Sequence, residues 1–513
     1  MDSIPGQPIY FAILVLIAPL LFIWKKHYWA KPLPPGPRGL PFIGNIHQHS
    51  TQISPWELYS RWHDQYGPII YFKLGQRTII SLGTREAARD LLERRARIYS
   101  SRPQLIVLGE WITNNMLPTL SQFNPRWEAL HRVQASLLSP HAVKSSRPVF
   151  ESCSKELLFS LLREPWTPRT FGGFVLKAMS ILTYGQEIKL DQPDVFHDDF
   201  QEAFAAHTTQ KDLLIELFPS LKSVLSMFGR FKRTKREGGE IHVKLLRTFK
   251  AKATIGRQAR SWNYVKEIDR ARPNILVDED VLYSLVDLEL ASTVTTSAML
   301  NNFINIWVAF PATIQKAQHE LDTICPNRLP TFTDRENLPY LGAVISELFR
   351  FTTMLPLGFP RATVQDDFFM GYHIPNGAII ITNQWYMNRN DAVYEDAQEF
   401  RPERWLENEH LPQPSVFGNG KRQCPGQHLA QDTFFLVMSG MLWAYNIHRL
   451  ATDGTSPTGG GSSWALDIGQ VDDVALIVRS EMHESVLHQE WADAIKDSDV
   501  MLEYVKQERL SAR

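Results

Sequence analysis

With 513 residues, 44% of them hydrophobic and 21% charged, the chain has a globular composition, not a disordered or fibrous one, and is long enough for roughly three domains. Lys and Arg total 54 against 55 for Asp and Glu, a formal charge of −1 that excludes an electrostatic footprint for nucleic acid. Three cysteines cannot make a disulfide framework and point to a reducing compartment, which leaves metal or free-thiol chemistry open for any one of them.

Residues 9–24, IYFAILVLIAPLLFIW, carry no charge and are followed by Lys25, Lys26 and Lys31. A helix of that length spans about 24 Å, a little short of a ~27–30 Å hydrocarbon layer. Tyr10, Trp24, Tyr28 and Trp29 supply interfacial anchors that help close the gap. A cleaved signal peptide has a similar apolar run, but its cations come first and a small-residue cleavage site follows, and neither holds here. The stretch therefore reads as an uncleaved membrane anchor with the C-terminal body on the cytosolic side.

PLPPGPRGLPFIGN, residues 32–45, has the proline and glycine content of an extended, semi-rigid connector. The run PIIYFKLGQRTIISLG, residues 68–83, reads as two strands broken at Gly75–Gln76. Thr84 can cap a helix to about Tyr99, and Ser100–Asn124 reads as a long, apolar, functional loop. Helical periodicity dominates from Pro125 onward. Its longest segment runs from Asp280 to Phe310 and stops at Pro311; Asp287, Glu289 and the polar cluster Ser292, Thr293, Thr295, Thr296 argue for a buried central helix against a second membrane span. The basic stretch at 229–237, GRFKRTKRE, reads as a solvated helix end or loop, with a cytosolic membrane face as the alternative. Strands return at 371–385, where Pro375-Asn376-Gly377 marks a tight turn, and residues 452–463, TDGTSPTGGGSS, form a flexible surface insert.

The chemistry concentrates in FGNGKRQCPG, residues 417–426. A thiolate is a strong ligand for a soft or borderline metal, provided that its charge is stabilised. Backbone N–H groups of a glycine-rich loop and the positive end of the helix that follows can do so. Gly420 and Gly426 permit close approach, Pro425 fixes the entrance to the helix, and Arg422 offers a cation to a nearby anion. A lone Cys424 could equally be a packing residue, and zinc is a weaker rival because only His428 lies nearby without a second ligand pair. Cys153 and Cys325 have no assigned role.

The whole loop is more specific than its cysteine. Phe417, Gly420, Arg422, Cys424 and Gly426 match F-x-x-G-x-R-x-C-x-G, and on these residues the chain resembles the cytochrome P450 family. Other pieces agree in the family's order. PPGPRGLPFIGN (34–45) is similar to its hinge, Trp127 and His131 to its W-x-x-x-R/H, Glu347 and Arg350 to its E-x-x-R, and FRPERW (400–405) to its P-E-R segment. PLGFPRAT (356–363) together with FRPERW looks like fungal microsomal members of secondary metabolism. The resemblance covers essentially the whole chain and replaces three domains with one. It implies a fold that is mainly α with small β-sheets: an anchor and basic flank at 1–31, a hinge at 32–45, and a single haem-thiolate catalytic domain at 46–513.

The resemblance also implies roles. Cys424 would be the axial thiolate on the iron of haem b. Arg422, His131, Trp127 and Arg361 would hold the haem carboxylates, with Phe417 and Gly426 completing the haem loop, and several donors are required because two carboxylates cannot be buried unpaired. Glu347, Arg350 and Arg404 would form a buried network serving folding and haem retention. Taken alone, an i,i+3 acid–base pair on a helix is ordinarily a solvated bridge worth ~0.2–0.5 kcal/mol.

One departure from the family pattern bears on mechanism. The long helix carries Ala291-Ser292-Thr293-Val294-Thr295-Thr296 where the family has A-G-x-[D/E]-T-T, so Val294 stands at the place of the acid that normally organises proton delivery. Thr295 and Thr296 remain as the expected catalytic alcohols; a packing role in a polar helix groove is the other reading. Glu289 lies five residues before Val294, about 140° around the helix, and faces elsewhere.

By resemblance, residues 104–117, Phe204–Leu217, Val294–Ala298, Leu355–Phe359 and the neighbourhood of Gly469 line the distal pocket, with Trp111, Asn114, Asn115, His207, Thr208 and Thr209 as orienting groups. That lining suits a lipophilic, polyfunctional small molecule. No dinucleotide fingerprint is visible, so electrons would come from a separate membrane-bound NADPH reductase, docked near Arg126, Arg132 and Lys421. The expectation is a monooxygenase that uses O2 at the endoplasmic reticulum membrane. Desaturation, ring closure or oxidative coupling is the alternative reaction, and a haem-thiolate sensor or a silent scaffold the alternative class.

Overall fold

Prolines that lack an N–H cannot join a sheet ladder as donors, yet their carbonyls can accept, and the proline-rich stretch is laid down in that way. In the computed structural model, which describes residues 31–50, 52–188, 213–450 and 474–511, Tyr71 N donates to Pro35 O at 2.9 Å and His373 N to Pro32 O at 2.6 Å. Gly36 permits this approach, since a Cβ there would lie 1.9 Å from Tyr71 O.

The strap rests on a four-stranded sheet. β1 (Ile69–Leu74) and β2 (Arg77–Leu82) form the expected antiparallel pair, turning at Gly75 with φ +58°. That sheet runs β1-β2-β6-β3, with β3 at Arg361–Ala362 and β6 at Ile379–Thr382; two further small sheets pair β4 (Asp367–Phe369) with β5 (Tyr372–Ile374) and β7 (Tyr445–Arg449) with β8 (Val474–Val478). The Pro375–Gly377 turn does connect two strands, but they belong to different sheets. The all-apolar run of β6 pairs with β2 on one side and β3 on the other, leaving no edge for β5, which pairs with β4 instead.

Helices make up the rest. Those that build the site are α1 (Pro125–Leu137), α2 (Pro140–Ser160), α3 (Thr170–Tyr184), α4 (Gly229–Gln258), α5 (Asp278–Ala309), α6 (Pro339–Thr352) and α7 (Gln427–Ala444). The basic stretch at 229–237 is the exposed start of α4. Asp280 caps α5 by accepting Val277 N at 2.8 Å, and Pro311 does not merely end that helix but occupies the first turn of the next, where its missing N–H costs nothing. α5 packs on α3, α4 and α7 within one continuous apolar core.

Two segments differ from expectation. The single helix expected over 84–99 is divided into Arg85–Arg89, a π-turn at Asp90–Arg94 and Ala96–Tyr99; Thr84 does cap the first piece through Ala87 N at 3.3 Å. The 100–124 loop contains a wide helical turn, Ile106–Ile112, with Ile106, Val107, Leu108, Trp111 and Ile112 buried. Among the described residues no helix is long and apolar enough to cross a membrane. The anchor expected at 9–24, the insert at 452–463, Gly469, and Phe204, His207, Thr208 and Thr209 lie outside the described residues.

Candidate active site

The Phe417–Gly426 loop is shaped by its glycines. Gly420 has φ +57°, and a Cβ there would stand 2.2 Å from the carbonyl of Leu92 in the π-turn, so only glycine lets the two segments close. Cys424 N donates to Phe417 O at 2.8 Å, Gln423 N to Gly420 O at 2.9 Å, and α7 begins directly after Gly426. The Phe417 ring meets Phe349 of α6 edge-on at 5.4 Å. The Cys424 side chain is accessible although it lies deep in the fold. Burial pushes its thiol up, the Gly426 N–H opposes this, and Asp287 of α5 adds to the rise, so the loop and the central helix face one another.

Around this thiol the fold gathers cations. Arg422 is stacked on the Trp127 ring at 3.8 Å and donates to the carbonyls of Ser100, Pro118 and Ser121. Its pKa is pulled down to about 9 by desolvation and then by Arg361. Arg361, buried on β3, donates Nη2 to Asn419 O at 2.6 Å, leaves Nη1 buried without a partner, and is lowered by desolvation to about 10. A third guanidinium, Arg102, was not found by sequence reasoning. It donates to Thr119 O, Phe359 O and Pro360 O, and desolvation followed by repulsion from Arg422 and Arg361 brings it well below its usual value. Ala362 N donates to Ser101 O at 2.8 Å, an isolated bridge that sets Arg102 beside Arg361.

His131 stacks on Trp127 at 4.8 Å, and its Nε2 is buried without a partner; desolvation and then Arg422 lower its pKa. The Trp127 indole N–H donates to Pro118 O at 3.1 Å, so in this arrangement Trp127 serves as the platform under Arg422. The anion that faces the cluster is Asp287, which accepts from Gln134 at 3.2 Å and is itself raised by desolvation. Three guanidiniums face this carboxylate and that of Glu93, which acts on Arg361, so positive charge is in excess. Haem b carries two carboxylates and a cationic iron that takes a thiolate, so the donor set fits it: Arg102, Arg361, Arg422 and His131 would hold the carboxylates and Cys424 the iron.

Behind the loop, Glu347, Arg350 and Arg404 meet. Glu347 accepts from Arg350 Nη2 at 2.7 Å, Arg404 Nε at 3.2 Å, Trp405 Nε1 at 3.0 Å and Arg401 N at 2.9 Å. Arg350 also donates to the carbonyls of Asn388, Ala397 and Glu399, and Arg404 to those of Glu395 and Asp396, so both buried guanidiniums are hydrogen-bonded around one carboxylate.

α5 is buried along its first half until Ala291, which is exposed, with Ser292, Val294 and Thr295 half-buried and Thr296 buried. Such an opening within a buried helix marks the face toward an interior space. The hydroxyls fold back on their own helix: Ser292 to Leu288 O, Thr293 to Glu289 O, and Thr295 to Ala291 O at 2.6, 2.7 and 2.7 Å. Glu289 is committed elsewhere, accepting from Tyr184 Oη at 2.8 Å and from buried Lys252.

Two of the three cations expected to form a docking patch are already paired within the chain. Arg126 bonds Asp280, and Lys421 bonds Glu128 at 3.0 Å. Cys153 and Cys325 are buried, with their thiols pushed up by desolvation. No group of three metal-ligating side chains occurs among the described residues.

Comparison with known proteins agrees with this geometry. The profile of the family described as Cytochrome P450 matches residues 34–462. Cytochrome P450 monooxygenase peniB of Penicillium patulum is 34% identical over 423 residues, 81% of this chain and 78% of that protein. Cytochrome P450 monooxygenase FrzL of a Cladobotryum species is 32% identical over 503 residues, 97% of each chain. Cytochrome P450 monooxygenase criE of Aspergillus cristatus is 33% identical over 505 residues, 96% of this chain and 93% of that one.

Proposed function

The chain belongs to the cytochrome P450 family and is a monooxygenase of that family, and we propose that it inserts one oxygen atom of O2 into a lipophilic small molecule of fungal secondary metabolism. The observation that carries this reading is the accessible Cys424 thiol, set in a loop that only glycine can close, beside three buried arginines with too few anions of their own. Haem b, held there, would supply dioxygen chemistry, with electrons from a separate NADPH reductase.

The chain's own residues do the rest. Cys424 would supply the thiolate that holds the iron, and Arg102, Arg361, Arg422 and His131 would hold the carboxylates. Glu347, Arg350 and Arg404 hold the segment beneath the loop. The half-buried face Ala291–Thr295 excludes bulk water and presents apolar Ala291 and Val294 to the substrate. Thr295 Oγ1 keeps its proton on Ala291 O and must turn away from it to donate into the site. With Val294 beside it, that proton is replaced from water.

Desaturation, ring closure or coupling is the alternative reaction. The hydroxyls of Ser292, Thr293 and Thr295 are all bonded to their own helix, and both reactions draw on the same protons, so this arrangement does not choose between them. Growth of the producing cell with and without the gene, under heavy-isotope dioxygen, separates the two. Heavy oxygen retained in the metabolite that deletion removes means insertion; loss of hydrogens without heavy oxygen means the alternative.

The same proposal places the chain at the endoplasmic reticulum membrane, anchored through residues 9–24 with its catalytic domain cytosolic. Phe42, 91% exposed, and exposed Leu221, Val224, Met227 and Phe228 support it. Both groups flank the β1–β2 turn, where Gly75 N donates to Ile43 O and Gln76 N to Leu217 O. The basic start of α4 follows directly, so an apolar rim and a cationic flank share one face.

A further inference from the structure

Side chains alternate along a strand, so Ile380 and Thr382 of β6 face one side, and Gln384, two residues on, continues that row. Arg361 of β3 is the ladder partner of Ile380. Together with Gly358, Gly418 and Asn419 these residues line a cavity of about 30 Å³ between the sheet and the haem loop. One water needs ~10–15 Å³. Two polar atoms of the lining residues are buried without a partner, Gln384 Oε1 and Arg361 Nη1, on side chains that are 4% and 5% exposed. Gln384 Nε2 donates to Ser415 O at 2.9 Å, which fixes the amide with its nitrogen on the loop and its oxygen free to face the cavity. Ser415 O also accepts Gly418 N at 3.0 Å, and Phe417 within that turn accepts Cys424 N. Gly358, with φ +60°, keeps the space open: a Cβ there would fall 2.5 Å from Thr382 Oγ1 and 3.4 Å from Gln384 Nε2.

We propose that this cavity binds one water molecule, which accepts from Arg361 Nη1 and donates to Gln384 Oε1 and to the Thr382 hydroxyl, and that Gln384 is thereby a positioning residue joining the arginine at the haem edge to the turn that carries Phe417. This rests on the haem reading above. The chemistry of the lining selects the occupant. Arg361 repels a cation and the amide oxygen repels an anion, so the molecule held is neutral and must both donate and accept. Three partners are what a buried water ordinarily has. Arg361 Nη1 carries two N–H groups, so one goes to the water and one remains for a haem carboxylate. Gln384 then acts on the site twice, through Ser415 on the loop and through the water on the guanidinium, without touching the haem itself.

The test uses the full-length, haem-loaded protein. A crystal structure is expected to show a water within hydrogen-bond distance of both Gln384 Oε1 and Arg361 Nη1. Resonance Raman reads the effect on the haem edge. Gln384→Leu, similar in size but unable to hold the water, should shift the bending band of the haem carboxylates and speed haem transfer to excess apomyoglobin by ~3-fold or more, with the carbon monoxide Soret band still that of a thiolate. Thr382→Val removes only a hydroxyl from the site, leaves the Ser415 bond in place, and should shift the same band in the same direction. A purely structural Gln384 would lower stability without moving that band. Should Gln384→Leu fail to load haem, Thr382→Val decides alone. No water on those two atoms, or an unmoved band in a haem-loaded variant, would overturn the proposal. A wild-type protein that takes up no haem would overturn the haem reading instead.

Discussion

Glu347 and Arg350 are both fully buried and joined by two bonds, Nε to Oε2 at 2.9 Å and Nη2 to Oε1 at 2.7 Å. One turn of helix thus carries a paired charge that water never reaches, and Arg404 shares the same carboxylate. Replacing Glu347 with Ala leaves two buried guanidiniums without their anion. The expected cost is about 3–5 kcal/mol, with haem lost at the same denaturant concentration as helicity. Chemical unfolding followed by circular dichroism and by haem absorbance checks this; a variant that keeps wild-type stability contradicts it.

Gly420→Ala forces a Cβ to within 2.2 Å of Leu92 O at a backbone φ of +57°, so the haem loop must move. Haem incorporation is expected to fall severely. Gly172→Ala is the matched control, because a Cβ there meets nothing within 4 Å and alanine suits the first turn of α3. It should change stability by no more than about 1 kcal/mol, in the favourable direction. Equal haem content in the two variants would refute the close approach.

His63 is buried between Gly67 O and Ser81 Oγ, each 2.9 Å from a ring nitrogen, and desolvation lowers its pKa to about 4. The folded state therefore binds this proton more weakly than the unfolded chain, whose value is 6.5. Stability from this group is complete above about pH 6.5 and is lost as pH falls toward about 4, by up to ~3 kcal/mol. His63→Gln should flatten that part of the stability profile. Thermal unfolding between pH 4 and pH 7 reads it, and parallel profiles for the two proteins would show the assignment to be wrong.

Thr295→Ala should lower product formed per NADPH on the order of tenfold while substrate binding, read by the spin-state shift, stays unchanged. Val294→Asp restores a carboxylate beside Thr295 on the half-buried face. It is expected to raise the yield per NADPH if protons are limiting. A fall in yield with Val294→Asp would mean that the apolar side chain is needed for the chemistry and not merely tolerated.

Much of the site was legible because its chemistry is local. The loop from Phe417 to Gly426 works through spacing within ten residues, and α5 begins and ends within two residues of the expected bounds. Arg102 was not legible, because nothing in Ser100-Ser101-Arg102-Pro103 says that Ser101 will bridge to Ala362 and set two guanidiniums side by side. The pairing of Arg126 and Lys421 was not legible for the same reason: Asp280 and Glu128 reach them through tertiary contacts. The Pro375–Gly377 turn between two strands was legible, but the sheets those strands join were not, since turn chemistry is local and sheet membership is not. The break in the 84–99 helix belongs to the same class, its π-turn lying against Gly420 more than three hundred residues away.

The most direct test is the spectrum of the full-length protein, reduced and exposed to carbon monoxide, in the wild type and in Cys424→Ser. The site described here predicts the long-wavelength Soret band of a thiolate-ligated haem in the wild type, and its replacement by the shorter-wavelength band of a non-thiolate haem in the variant, with haem still retained by Arg102, Arg361 and Arg422. A wild-type band that survives Cys424→Ser unchanged would contradict it, since the iron would then be held by some other residue.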